Sequence, residues 1–540
     1  MLAVLGVMAV SGIIAVTTTA LSLHALGFTT STRAGVQAQA AAEAGIDYAA
    51  AQLATLSCQS QYSSSSAPIF TVTVSYSTLL TSPGDVDTSW NTGCPTTTSA
   101  QRVKLVSTGT ASALGVAGNS SGDHRVVEAI YPYTPNSSPY TIIPSGAALY
   151  AFAQADPTIN NLTITQASTT RAIIEYLSGS ATCTSGSTIA GDVILGSGGL
   201  SVTSGCTING DLWAANTVNI QSGEVTGNLH VAGDGGGGYS VSLSNSSTVD
   251  GDVYSGGPGS FGGLIGGDVV AGPRSGLSTF NNQASVGGSV VSAGTISAPV
   301  GAIKGTISQN QSGIVTPIVP TVPRWIDYAY SPGDWQTSAP TTCTSTSISA
   351  WDLTCNAGFY ALLTMKVCDT STLASALITA QNSTVPMILD TRICGPITSL
   401  GGYNLTLKSN LVIVASGFSL KSNAITSSDS TDKSFWMITP DGNLNRTPDC
   451  PSNSSATIGN SVTVGSHVGA MIYTPCIISN SGDVWRGQMY ASSINTSSSF
   501  TLNFLPLGLP TVNLSTGEYL PPAGTGVLGS RTSIRDLAVN

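Results

Sequence analysis

The residues whose type and spacing could do chemistry are four aspartates that each follow a glycine: Asp192, Asp211, Asp252 and Asp268, after Gly191, Gly210, Gly251 and Gly267. Carboxylates stacked in a row could serve as acid and base on a polysaccharide. They could also hold Ca2+, which accepts clustered carboxylates. Yet other copies of the same pattern carry Asn228, Ser289 and Thr306 at that position. The position therefore needs a small polar group rather than a charge, as a turn does. The histidines, His24, His124, His230 and His467, form no His-Glu-x-x-His or paired motif. The run from Gly233 to Gly238 reads as a structural loop, and no glycine-rich stretch leads into Gly-Lys-Ser/Thr. The expectation is a protein that is not an enzyme and that carries no cofactor and no metal.

Ten cysteines complete the set of reactive side chains: Cys58, Cys94, Cys183, Cys206, Cys343, Cys355, Cys368, Cys394, Cys450 and Cys476. No Cys-x-x-Cys occurs, which leaves zinc and thioredoxin-like chemistry without support. The count is even, and the residues fall in neighbouring pairs separated by long cysteine-free stretches. Five sequence-adjacent disulfides are expected, 58–94, 183–206, 343–355, 368–394 and 450–476. Each would staple a local loop in an oxidising compartment. Buried free thiols are the alternative.

Charge is scarce around these groups. Only 8% of the 540 residues are charged, with 17 Lys and Arg against 27 Asp and Glu, a net of −10. Ordinary soluble proteins carry about a quarter charged residues. So few cations build no basic face, which excludes binding to nucleic acid through phosphate contacts. A charge-rich disordered chain is excluded too, since 41% of the residues are apolar. A surface of hydroxyls and amides suits an exported protein.

The element that positions the aspartates is an internal repeat, apolar–x–Gly–small polar–apolar. Its copies centre on Gly191, Gly210, Gly227, Gly251, Gly267, Gly288 and Gly305, 16 to 24 residues apart. That is the scale of one coil of a parallel β-helix, with Gly at a tight corner and ladders of Ile and Val inside.

The chain opens on a different element. From Met1 to Phe28 there is no Asp, Glu, Lys or Arg, and Arg33 is the first charge. As a helix this stretch would span roughly 40 Å, enough to cross a bilayer. A secretory signal needs a basic start and an apolar run of about 7–15 residues followed by a break, and none is present. Instead the helical pattern continues, with Ala34, Ala38, Ala41, Ala42, Gly45, Ala49 and Leu53 as a smooth stripe that would let helices approach closely.

This long uncharged start, Arg33 and the run from Ala38 through Glu43 and Ile46 to Tyr48 resemble the mature N-terminal helix of type IV pilins. The similarity is strongest to large PilX-like pilins. In that family a basic leader is removed by a prepilin peptidase, and the helix anchors the subunit in the membrane before packing in the filament core. The resemblance implies an assembly helix with Met1, Leu5, Ile13, Ile14, Leu21, Leu26, Arg33, Glu43, Ile46 and Leu53 as its working residues. It implies as partners further copies of the chain in a helical filament, other pilins, the inner-membrane assembly machinery and, before assembly, the membrane itself. Leu5 departs from the pattern, because major pilins usually place a glutamate there; this points to a minor, tip-located subunit or to a different register of Met1. A single membrane anchor on an exposed ectodomain is the plainer alternative.

The expected fold is α+β, mostly β: a long N-terminal α-helix, a small β-rich pilin-like unit, then a parallel β-helix (solenoid) body. The expected boundaries are 1–54 for the helix, 55–140 for the β-rich unit and 141–315 for the repeats. A linker and aromatic cap follow at 316–340, a second β-rich or β-helical domain at 341–510, and an extended tail at 511–540. Trp325, Tyr328, Tyr330 and Trp335 are expected to plug the end of the solenoid. The function expected is that of a structural subunit of an extracellular type IV pilus-like filament. The alternative is a tip-located or membrane-anchored adhesin that binds a carbohydrate or a surface.

Overall fold

The computed structural model describes residues 2–55, 58–79, 90–95, 100–112, 124–134, 142–153, 158–337, 342–496, 499–520 and 527–537. Met1 and residues 135–140, at the end of the β-rich unit, lie outside this set. The chain forms two compact units, Met1–Tyr140 with Leu520–Asn540, and Thr141–Tyr519.

The first unit is a helix against a sheet. Helix α1 (Leu2–Thr55) is followed by strands β1 (Gln61–Ser64), β2 (Ile69–Ser77), β3 (Asn91–Thr92), β4 (Arg102–Thr110) and β5 (His124–Thr134). The strands run antiparallel in the order β1-β2-β4-β5, with β3 beside β2. Alternation along β2 and β4 sends Phe70, Val72, Val74, Val103 and Leu105 to one face, where they meet Ala42, Ile46, Ala49 and Leu53 of α1. The helix lies unusually close to β4. A Cβ on Gly109 would stand 2.1 Å from the Ala38 carbonyl oxygen and 2.2 Å from the Ala42 nitrogen. The smooth stripe of α1 is thus used within the chain, to let a strand press on the helix backbone.

The C-terminus is not an extended tail. Val527–Leu528 and Ser533–Leu537 pair antiparallel with β5, and Val512–Asn513 pairs with Glu518–Tyr519 as a short hairpin in the second unit. An open β5 edge offers a row of unpaired N–H and C=O groups, and the returning chain fills it. The second unit is therefore an insertion in the sequence of the first.

That second unit is a parallel β-solenoid of about 16 turns. Register places like over like: Val193, Leu212, Leu229, Val253, Val269 and Val290 stack as one inward ladder. The coils are not stacked in chain order. Residues 149–308 run away from a junction, and residues 361–504 build toward it. There Val484–Thr496 pairs in parallel with Leu149–Ala153, and Phe500–Phe504 with Leu162–Gln166. The stretches expected as two bodies, 141–315 and 341–510, thus share one sheet and one core. Antiparallel strands Thr346–Ser347 and Trp351–Thr354 close the far end on Ala361–Met365.

The return path is a strap along the outside of the coils. Successive strap residues meet successive coils: Ile314 at Gly272, Val322 at Gly196, Pro323 at Tyr150, Trp325 and Tyr328 at Tyr473, and Trp335 at Trp436 and Tyr360. The aromatic cluster therefore covers a flank rather than an end. The reason is visible in the strands beneath, where Ile388, Val412, Val414, Trp436 and Met471 put apolar side chains on the outer face as well. An outer face of that kind must be kept from water. A second helix, α2 (Thr370–Gln381), packs Ala376, Leu377 and Ala380 into the core behind an Asp369 cap that accepts the Thr372 N–H at 2.9 Å.

Candidate functional site

Two arrays carry the chemistry of this chain, the exposed half of α1 and the polar corner of the solenoid. At about 1.5 Å per residue, α1 is a rod of roughly 80 Å. Its two halves live in different surroundings. From Val4 to Phe28 the large apolar side chains are exposed on all sides, from 55% at Ile14 to 70% at Leu21. From Ala34 to Leu53 one face is buried against the sheet.

Seven hydroxyls along the exposed half are satisfied by the helix itself. Ser11, Thr17, Thr18, Thr19, Thr29, Thr30 and Thr32 each donate to a carbonyl four residues back, at 2.8 to 3.0 Å. These hydroxyls ask nothing of the solvent, which suits them to lipid or an apolar bundle. It is long and apolar enough to cross a membrane, and none of its apolar window is buried in the structure. Leaving about ten such side chains in water would cost roughly 20 kcal/mol at ~1.5–3 kcal/mol each, which confines this half of α1 to lipid or an apolar bundle; between those two, side-chain packing decides.

The residues expected to work in assembly divide between the halves. Leu5, Ile13, Ile14, Leu21 and Leu26 are exposed, and so are Arg33 and Glu43. Glu43 accepts from Gln39 Nε2 at 2.9 Å, and the same amide reaches Asp536 Oδ1 of the C-terminal strand at 3.0 Å. Ile46 and Leu53 are buried on their own sheet, so they hold the helix to its unit and are not available to a neighbour. Met1 lies outside the described residues.

At the polar corner the aspartates engage one another's backbones. Asp192 Oδ1 accepts the Asp211 N–H at 2.8 Å, Asp211 Oδ1 the Asn228 N–H at 2.7 Å, and Asn228 Oδ1 the Asp252 N–H at 2.9 Å. The series runs on from Asp252 to Asp268 at 2.7 Å, from Asp268 to Ser289 at 2.6 Å, and from Ser289 to Thr306 at 3.1 Å. Arg171 starts it with a 2.6 Å ion pair to Asp192. What the position requires is one acceptor oxygen, which Asp, Asn and Ser all supply. The glycines beside it are needed for room: a Cβ on Gly227 would stand 2.3 Å from Asp211 Oδ1, and one on Gly267 2.0 Å from Asp252 Oδ1. Among the described residues no three His, Cys, Asp or Glu side chains cluster closely enough to hold a metal by themselves.

Sequence reading missed an outward aromatic row next to this corner. Trp213, His230 and Tyr254 stack on adjacent coils with centroids 3.6 and 4.9 Å apart. Burial pushes the His230 imidazole down, while Asp211 and Asp252 pull it up. The signal was present in the register, since the three residues follow the repeat glycine at the same spacing.

The cysteines form five disulfides, 58–94, 183–206, 343–355, 368–394 and 450–476. Cys183–Cys206 lies fully buried and ties one coil to the next.

No family model matches the chain. No curated protein matches it either. Among solved structures it is similar to the competence-associated pilin ComZ from Thermus thermophilus, at 12% identity over 93% of this chain and 97% of that chain, with a TM-score of 0.19. At that TM-score the similarity carries no argument about this chain.

Proposed function

We propose that this chain is a structural, pilin-like subunit of an extracellular type IV pilus-like filament. Its helix α1 is held in a membrane before assembly, then packs beside copies of itself or fellow pilins, while the solenoid is displayed outside the cell. Delivery from the membrane to the fibre would fall to an inner-membrane assembly machinery. The observation that carries this reading is the division of α1. One half is locked to its own sheet, and the other offers an apolar surface on every side, with its threonine hydroxyls satisfied by the helix. A lone membrane anchor needs only the second feature, whereas a subunit that leaves lipid intact needs the rigid continuation as well.

The proposal gives the aspartate row a structural task and the chain no catalytic one. Each carboxylate uses an oxygen to clamp the next coil, as Asn228 and Ser289 do without a charge. Immunogold electron microscopy of filaments sheared from cells tests the reading. Antibody against the solenoid should decorate the shafts. Label only at filament ends would make the chain a tip-located adhesin, and protein found solely in the membrane fraction would overturn the proposal.

A further inference from the structure

We propose that the loop from Asp441 to Asp449, closed by Asp327 of the strap, is a Ca2+ site. The loop reads Asp441-Gly-Asn443-Leu-Asn445-Arg446-Thr447-Pro-Asp449. Asp441, Asn443 and Asn445 have the Asp-x-Asn-x-Asn spacing that opens calcium loops. At the next position such loops use glycine for a sharp left-handed turn. Here Arg446 makes that turn, with φ of 62°. Thr447 then offers a backbone carbonyl, and Asp449 a carboxylate two residues on. The glutamate that usually ends these loops is missing, since Ser452 stands in its place.

The strap brings a carboxylate to the same loop. Asp327 Oδ2 accepts the Arg446 N–H at 2.7 Å. Asp441 Oδ2 accepts the Asp449 N–H at 3.1 Å and the Trp325 indole N–H at 2.9 Å. Asp327 and Asp441 are each only 1% exposed, and the second oxygen of both is buried with no hydrogen-bond partner among the described residues. Two unpartnered carboxylate oxygens in a buried setting are costly unless a cation meets them. Among the described residues no cationic side chain bonds either oxygen: the charge of Arg446 acts on Asp327, but its guanidinium bonds Gly517 O at 2.8 Å and lies over the Tyr519 ring.

Asn443 and Asn445 both point their amides at Asp449 Oδ2, at 2.9 and 2.7 Å. A half-turn of an amide exchanges its nitrogen for its oxygen, so Asn443 can turn an oxygen toward a cation. The ligand set is then carboxylate, amide and carbonyl oxygen with no nitrogen or sulfur, which selects a hard cation. Its mixed nature agrees with the lack of any cluster of three acidic, His or Cys side chains. Ca2+ fits better than Mg2+ because a loop of this kind offers an irregular oxygen cage in place of a tight octahedron.

Tb3+ luminescence on the full chain in detergent micelles tests the site, with Trp325 as the built-in antenna. Excitation of tryptophan should give saturable Tb3+ emission, displaced by Ca2+ at a concentration at least tenfold lower than by Mg2+. Asp327→Asn with Asp441→Asn should weaken Ca2+ binding at least tenfold, read by calorimetry as well. If that pair fails to fold, Asn445→Ala with Asp449→Asn on the outer side of the loop should weaken binding several-fold while leaving the circular dichroism unchanged. Absence of saturable Tb3+ or Ca2+ binding up to about 1 mM, the weak end of extracellular calcium modules, overturns the proposal. Binding that is unchanged in the folded variants overturns it equally.

Discussion

At Gly267 a single methyl group would collide with Asp252 Oδ1 at 2.0 Å, and this contact states the rule of the repeat. Gly267→Ala should destabilise the solenoid by about 1–3 kcal/mol, the range for overpacking a tight site. Chemical unfolding followed by tryptophan fluorescence measures it, and an unchanged midpoint would contradict the ladder account. A second residue-scale prediction concerns Glu175, which is 8% exposed with its Oε2 unpartnered. Burial pushes its carboxyl up to about 7 from an ordinary 4.5. Near pH 4 both folded and unfolded states hold the proton and the site is harmless. As pH rises toward about 7 the unfolded chain releases its proton first, so stability falls, and above that the loss is complete at about 3 kcal/mol. Glu175→Gln should therefore match the parent near pH 4 and exceed it at pH 8, in unfolding curves recorded at both. Equal stabilities at pH 8 would contradict it. The acceptor role of the corner was legible in the sequence, because Asn228, Ser289 and Thr306 stand in for aspartate. The reason for the neighbouring glycine was not, because close approach between coils is a property of the stack and leaves no local mark.

Among the elements, the strap bears most on stability. Trp335 is buried between Trp436, with ring centroids 5.0 Å apart, and Tyr360, at 5.6 Å. Trp335→Ala should cost about 3–5 kcal/mol and loosen the strap from the outer face. Limited proteolysis between residues 309 and 345 reads this directly, and a strap as resistant as the parent's would contradict the account. The cluster itself was plain in the sequence, and so was a clue to its true place. Met387, Ile388 and Leu389, like Leu411–Val414, are apolar at consecutive positions, which marks strands covered on both faces. The permuted coil order could not be read in this way. It depends on which open edge meets which, a choice made between residues more than three hundred positions apart, such as Leu149 and Met489. Helix α2 escaped notice for a simpler reason: its polar Thr and Ser content resembles the surrounding turns, and only the Asp369 cap announces it.

For the molecule as a whole, the central claim is that α1 exchanges lipid for the flanks of other subunits. The exposed half of α1 was legible because length without charge is a one-dimensional signal. The return of the C-terminal strand to β5 was not, since the strand Ser533–Leu537 carries two charges in five residues and reads as a tail until its partner Glu128 is known. The measurement that bears most directly on the claim is photocrosslinking in living cells from a reactive residue placed at Ile14, which is 55% exposed. The account predicts adducts between this chain and itself or another pilin, enriched in filaments sheared from the surface. A chain recovered without protein adducts, whether left in the membrane or released as a soluble monomer, would contradict it.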